Sequence, residues 1–338
     1  MLISSTSVKK LAEYVENRDE VFCSGLFLSA RWMVISQLDR LGIQMIVLPD
    51  RDSAEYCAAD LYHLIEGDRV YFLPDSGKSL ERSNYKSSLG VQRTSAIGKI
   101  LEYKEGEQMI IVTYPSALEE IIPEKGKISG SLLKLAAGDE KPYEEIKEIL
   151  FANGFERVDF VSEPGQFAVR GALIDIFSYS FNNPFRISFF GDEIESINIF
   201  DANTQLSIEK VDFVDIYPDL SSSEDSDGAM VTDILPESTL VWMDSSDMYK
   251  DKSFFSELQK FKNIYMELPL SRQEEEVIKF NISPQPVFNK NFELLTEDIR
   301  TRIEQGYRVR IYGEKRSQLE RLQSILSQNG GLMPEFVS

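Results

Sequence analysis

Residues 154–201 read GFERVDFVSEPGQFAVRGALIDIFSYSFNNPFRISFFGDEIESINIFD, and their alternation decides how the chain is built. Phe167 and Val169 alternate with Ala168 and Arg170, and Phe185, Ile187 and Phe189 with Arg186, Ser188 and Phe190. A period of two sends successive side chains to opposite faces of a strand, so the first three of that second set share one face and Arg186 lies on the other. Gly191-Asp192 supplies a hairpin turn and Glu193 to Phe200 the returning strand. Upstream, Tyr143, Ile146 and Leu150 mark the apolar face of a short helix that Asn153-Gly154 stops. This block predicts an α+β domain containing an antiparallel sheet.

The flanks follow a different rhythm. Val21-Phe22-Cys23 reads as a strand, followed by a helix from about Ala30 to Leu41 that ends at Gly42. Ile43 to Leu48 is a continuous apolar run, as in a strand covered on both faces. Asp52, with Glu55 three residues on, is expected to cap a helix reaching Gly67. A strand at Val70 to Leu73, a helix over Arg93 to Leu101 and a strand at Met109 to Thr113 follow, and Thr239 to Met243 is a further strand. Such alternation predicts an α/β fold with a parallel sheet of the nucleotide-binding type, into which the middle block is inserted. The acidic stretch SSSEDSDG (221–228) returns the chain. Past Phe280 come a helix from Phe292 to Glu304, a strand from Tyr307 to Tyr312 and a helix striped by Leu319, Leu322, Ile325 and Leu326, stopped at Asn329-Gly330-Gly331. That lone βα unit reads as the start of a further α/β domain. The expected domains are 1–122, 123–217, 218–275 and 276–338.

Composition narrows the function. The 338 residues are 42% hydrophobic and 27% charged, as in a folded globular chain of two or three domains. A formal net charge of −20 without a basic stripe argues against gripping nucleic-acid backbones and toward protein partners. No apolar run is long enough to span a bilayer, and a cytoplasmic protein is expected. Cys23 and Cys57 form no metal or redox spacing, and His63 has no nucleophile or ligand beside it, so neither a catalytic residue nor a metal site is expected.

Two stretches invite comparison with a phosphate-binding loop. DSGKS (75–79) ends like one, but the first glycine of the pattern should be residue 72, which is Phe72. After the first strand, Ser24-Gly25-Leu26-Phe27-Leu28-Ser29-Ala30-Arg31 holds one glycine and no lysine, so the β- and γ-phosphates have no cradle. Asp244, at the end of the 239–243 strand, stands where a metal-positioning acid would, but Ser245 follows it instead of a Glu. Ser24, Gly25, Arg31 and Asp244 therefore mark a degenerate nucleotide loop.

The run Arg170-Gly171, Asp175-Ile176-Phe177, FRISFFGDEIESI (185–197) and Phe200-Asp201 resembles the domain shared by the excinuclease protein UvrB and the transcription-repair coupling factors of bacterial nucleotide excision repair. UvrB would carry an intact GKT loop and a tyrosine-rich hairpin segment, whereas residues 74–95 hold only Tyr85, so the likeness is to the coupling factors. The resemblance implies a degenerate P-loop, RecA- or helicase-like sheet domain whose inserted domain docks UvrA, the excinuclease protein that works with UvrB. It also implies that arginines of the middle block make the contact, here Arg157, Arg170 and Arg186, since a guanidinium fork can hold a carboxylate in two parallel hydrogen bonds. Ala168 and Ser188 stand where UvrB has Arg and Glu, which implies a smaller contact set. The alternative for each arginine is a solvated strand face or a local salt bridge, for which Asp159, Glu193 and Glu195 offer partners; Phe177 and Phe190 are candidates for either the patch or the core. The expected function is non-catalytic recruitment in transcription-coupled repair, with no cofactor of its own; the alternative is an active ATP-dependent, damage-binding enzyme like UvrB. RNA polymerase and DNA contacts, and ATP-driven translocation, belong to further domains of the family, so the sequence is expected to be an N-terminal piece.

Overall fold

Every residue of Ile43–Val47 and Met109–Thr113 is buried, as strands covered on both faces require. They sit near the middle of the architecture in a computed structural model that describes residues 6–38, 42–77, 83–221, 223, 228–267, 277–282, 286–313, 315–328 and 333–337, without the side chains of 83–87 and 246. Lys78 and Ser79 of the DSGKS stretch, most of 221–228 and the Asn329-Gly330-Gly331 stop lie outside the described residues. The chain divides into two compact units, Met1–Ile282 and Ser283–Ser338.

The first unit opens with α1 (Thr6–Asn17), β1 (Glu20–Ser24), α2 (Ala30–Ile35), β2 (Ile43–Val47), α3 (Arg51–Leu64) and β3 (Val70–Phe72). It continues with α4 (Ser83–Glu102), β4 (Met109–Thr113), α5 (Pro115–Glu119) and α6 (Lys125–Ser131). The insertion then contributes β5 (Leu133–Ala136), α7 (Tyr143–Ala152), β6 (Glu156–Arg157), β7 (Gln166–Arg170), β8 (Leu173–Phe177), β9 (Phe185–Phe190), β10 (Glu193–Phe200), β11 (Ser207–Val211) and β12 (Phe213–Ile216). The chain returns as β13 (Leu240–Met243), α8 (Phe255–Leu258), β14 (Lys262–Tyr265) and β15 (Val277–Lys279).

Seven of these strands form a parallel sheet in the order β15-β1-β14-β13-β2-β4-β3. Side chains alternate between two apolar clusters: Ile46, Val112 and Trp242 meet α1, α2 and α3 on one face, while Met45, Ile111 and Val241 meet α4, α6 and α8 on the other. Among the polar side chains buried in this sheet, Gln44 is fully buried, accepts from Trp242 Nε1–H at 3.0 Å and donates to the Leu38 carbonyl at 2.9 Å. Strand β15 lies beyond residue 275, so the sheet extends past the expected domain boundary and the first unit runs to Ile282.

Helix starts differ from the sequence reading for local reasons. Asp50, in extended backbone, caps α3 by accepting from the Ser53 N–H at 2.8 Å; Asp52 lies inside the first turn, where its charge favours the helix N-terminus. Helix α2 ends at Ile35 and tightens into a 3₁₀ turn to Leu38, and the expected end at Leu41 lies outside the described residues. Helix α4 begins ten residues before Arg93, at Ser83.

The insertion leaves and re-enters through a zipped neck. Its first and last strands pair antiparallel, Leu133 opposite Ile216 and Ala136 opposite Phe213, and Ile122 bridges Ala229 just outside. Between them the remaining strands form a sheet in the order β11-β10-β9-β8-β7-β6, antiparallel except for the parallel β6–β7 pair. Its inner face packs Phe167, Ile174, Phe185, Ile187 and Phe189 against Ile146 and Leu150 of α7, as the alternation predicted. In the second unit, α9 (Phe292–Glu304), β16 (Arg310–Tyr312), α10 (Arg316–Gln328) and β17 (Glu335–Val337) make a βαβ element: β16 starts later than expected and pairs in parallel with β17, so the βα unit is not alone.

At the neck sits Arg93, fully buried on α4. Its guanidinium donates to the carbonyls of Ser221 (2.7 Å), Pro74 (2.8 Å), Ala117 (2.9 Å) and Glu120 (3.3 Å), with the Glu120 carboxylate 3.5 Å away. Next to it, Arg51 Nη2 donates to both oxygens of Asp75 at 2.7 and 2.8 Å, while Tyr114, Ser116 and the Gly77 N–H also donate to that carboxylate. Burial alone would raise the Asp75 carboxyl, but the hydrogen bonds and charge of Arg51, helped by Gly77 and Ser116, hold it below the usual range.

Arg93→Met should lower stability by about 3–5 kcal/mol, measured by urea denaturation, because it leaves several buried carbonyls without donors. Asp75 has a folded pKa below its unfolded one, so its contribution is complete above the ordinary carboxylate value of about 3.9 and fades as the pH falls below it. Asp75→Asn should therefore be less stable at neutral pH and show a shallower acid limb in a pH series.

Candidate functional site

The outer face of the insertion's sheet gathers the charged residues. One cross-strand row runs Ala168, Asp175, Arg186, Asn198, Lys210, all on the side away from α7. Asp175 is only 1% exposed, yet it is a carboxylate in the apolar strand Leu173–Phe177. Arg186 compensates it with two parallel bonds, Nε to Oδ1 at 2.8 Å and Nη2 to Oδ2 at 2.9 Å. Arg170 Nη2 also bonds Oδ2. The hydrogen bonds to Asp175 raise the Arg186 pKa, burial opposes this, and the carboxylate's charge adds to the rise. Gln205 holds the far side of Arg186 through its Oε1 (3.2 Å) and its carbonyl (3.5 Å).

Aromatic rings floor both guanidinium groups. Arg170 lies 4.8 Å from the ring centre of Phe160 and Arg186 4.3 Å from that of Phe200. Phe200 is buried with Val161, Ala168 and Phe177 in a small cluster that ties the 158–164 segment to this face. Phe177 is thus core and not part of an accessible patch, whereas Phe190 is 80% and Phe160 61% exposed. The acid that organises the arginines is Asp175, not Asp159, Glu193 or Glu195. Arg157 is exposed but stands elsewhere: β6 places it opposite Phe167, on the α7 side of the sheet, close enough for its charge to act on the Tyr143 phenol. Arg170 and Arg186 are brought together; Arg157 is not with them.

At the loop after β1, Gly25 has φ +76°, and a Cβ there would lie 2.1 Å from the Phe280 carbonyl oxygen, so only glycine fits. Arg31 crosses from this loop to the ends of β13 and β14, bonding Asp244 Oδ1 at 2.5 Å, Glu267 Oε1 at 3.1 Å and the Leu26 carbonyl at 3.3 Å. Burial pushes the Asp244 carboxyl above its ordinary range, Arg31 offsets part of that, and Glu267 adds to it. The loop and the acidic strand end are therefore joined by an internal ion pair. Among the described residues, no group of three or more His, Cys, Asp or Glu side chains could hold a metal ion, and no helix is long and apolar enough to cross a membrane.

The region carrying the arginine face matches the UvrB interaction domain family over residues 133–221, from the first residue of β5 to the Ser221 carbonyl that Arg93 holds. Across a longer stretch the chain is 28% identical to a transcription-repair-coupling factor of Mycobacterium bovis over 219 residues, 63% of this chain and 17% of that relative. It is 30% identical to that of Bacillus subtilis over 206 residues (60% and 17%), and 31% identical to that of Escherichia coli over 110 residues (32% and 10%). The chain is similar to the N-terminal region of transcription-repair-coupling factors. The matched stretch thus spans a small part of the coupling factors it resembles.

Sequence reasoning missed Asp175 and Phe160. A lone acid inside Leu-Ile-Asp-Ile-Phe, beside strands that each bear an arginine, was the available signal, since a carboxylate among apolar residues requires a cation. Phe160 carried none: only the packing of Val161 onto the sheet brings its ring beneath Arg170.

Arg31→Ala should cost about 3 kcal/mol near neutral pH, because it leaves the buried Asp244 carboxylate uncompensated. With its folded pKa above the unfolded value, Asp244 favours the native state more as the pH falls toward the carboxylate range. Urea titrations should therefore show a smaller loss at about pH 5 than at pH 7, and adding Asp244→Asn should recover part of it.

Proposed function

We propose that this chain is a non-catalytic recruitment module of transcription-coupled nucleotide excision repair, which docks the excinuclease protein UvrA through the outer face of the inserted sheet. The observation that carries the reading is the partly exposed Arg170 seated over the exposed ring of Phe160, with Phe190 also exposed on the outer side of the same sheet, inside the region similar to the UvrB interaction domain. Arginine and large aromatics on a fixed backbone are the residue types that dominate interface energetics, because they bury much surface for little lost freedom. The seven-stranded sheet, in this reading, is a P-loop-type, RecA-like domain whose nucleotide site has degenerated, and it serves as the base on which the insertion stands. In this reading RNA polymerase binding, DNA translocation and ATP use are carried by other regions of the coupling factors.

An active ATP-dependent damage-binding enzyme is not favoured. Nucleotide would have to enter where Arg31 already neutralises Asp244, in a loop with Gly25 as its single glycine.

The test is a calorimetric titration of purified UvrA into this chain and into Arg170→Ala and Phe190→Ala. Phe190 is largely exposed, so its variant should unfold at the wild-type urea midpoint while binding at least about tenfold more weakly, a loss of about 1.4 kcal/mol. Wild-type affinity in both variants would remove the sheet face from the interface. Stabilisation of the wild-type melting temperature by ATP would count against the degenerate-site reading.

A further inference from the structure

The two arginines are not equivalent. Arg186 spends its Nε and Nη2 on Asp175 and further Nη contacts on Gln205, and its side chain is only 21% exposed. A guanidinium offers five N–H donors, so Arg186 has little left to give. Arg170 bonds the same carboxylate through Nη2 alone, keeps 35% of its side chain exposed, and rests on Phe160. One buried negative charge therefore faces two cations. Arg186 neutralises it internally, and the surplus positive charge stands at the surface on Arg170.

From this we propose that Asp175 is a positioning residue: its buried carboxylate fixes Arg170 over Phe160 with the remaining N–H groups turned outward, ready for a carboxylate on the docking partner, while Arg186 is the internal counterion. The proposal deepens the recruitment reading above and rests on it for the identity of the partner. Two physical points support it. A carboxylate this buried is costly unless paired and hydrogen-bonded, so its place in an otherwise apolar strand needs a compensating arrangement, and Arg186 alone supplies one. The second arginine is then surplus to stability, and its anchoring removes freedom that an exposed Arg would otherwise lose on binding. Lys in place of Arg186 would break the scheme, since an ammonium cannot make its two parallel bonds.

The test has two arms on the full chain. In the protein alone, the side-chain ¹⁵N–¹H resonances of Arg170 should show restricted rotation about Nε–Cζ, and Asp175→Asn should release it; free averaging of Arg170 in the wild type would overturn the proposal. In calorimetry with UvrA, Asp175→Asn should weaken binding about tenfold, but less than about twofold when Arg170 is already Ala, because the effect passes through that side chain. Additive losses in the double variant would reject positioning, as a general structural defect would weaken both backgrounds alike. If the wild type does not bind UvrA, the recruitment reading fails and the resonance arm alone judges the proposal. If Asp175→Asn does not fold, Gln205→Ala takes its place: it should loosen Arg186 and leave Arg170 ordered, and loss of Arg170 order there would count against the division of roles.

Discussion

A domain inserted into a parallel sheet imposes one constraint above others: the chain must leave and re-enter at the same place, and both crossings carry backbone polar groups into the interior. Arg93 meets that constraint. It gathers carbonyls from the loop after β3, from α5 and its C-cap, and from the segment after β12, so three otherwise separate segments share one buried donor group. Burial works against its charge and the surrounding carboxylates, Glu120 first, work for it. The β5–β12 ribbon then carries the register outward. Without a fixed neck the sheet beyond would have its own core but no defined connection, and a face that moves freely on its tether loses part of its binding energy to ordering.

The same device recurs with different consequences. At the neck a buried arginine is satisfied by carbonyls; at the end of β13 a buried aspartate is satisfied by Arg31; on the insertion a buried aspartate is satisfied by Arg186 with Arg170 left over. In each case desolvation would be prohibitive without a partner, so the charge dictates which segments come together. The difference lies in what remains exposed. The neck network ends on backbone carbonyls and the Arg31 network on the exposed carboxylate of Glu267, whereas the third ends in a partly exposed guanidinium over the exposed ring of Phe160, an open end with a cation and an aromatic face side by side.

How much of this was legible in the sequence depended on period. Strands β2, β4, β9 and β10 and helices α7 and α9 were readable because an apolar run or a strict alternation of several residues leaves few alternatives. The cap of α3 was not, since Asp50 and Asp52 are both acceptable caps and only the backbone decides between them. Arg170 and Arg186 were singled out through their motif, and alternation put Arg186 on the outer face; Arg157 stands on the other side of the sheet, a placement that depends on a two-residue edge strand with no period of its own. Asp175 escaped notice for a more general reason. A buried acid is visible in sequence only as an interruption, and what it interrupts becomes known once the opposing strands are in register.

The chain's net charge of −20 gives the arginine face a particular character. An acidic partner approaching this molecule meets mostly like charge, and at physiological ionic strength fields beyond about 8 Å are largely screened. Long-range attraction therefore cannot be what selects the partner. In the proposed docking, selection falls to contact: a carboxylate would come within hydrogen-bonding distance of Arg170 while apolar surface covers Phe160 and Phe190, and a patch lacking either feature would gain little. Repulsion from the rest of the surface then acts against partial or misplaced matches, since an acidic surface that misses the arginine gains no compensating bond. A single anchored cation on an acidic body would thus be more discriminating than a broad basic patch, which is what the proposed anchoring of Arg170 would add to its charge.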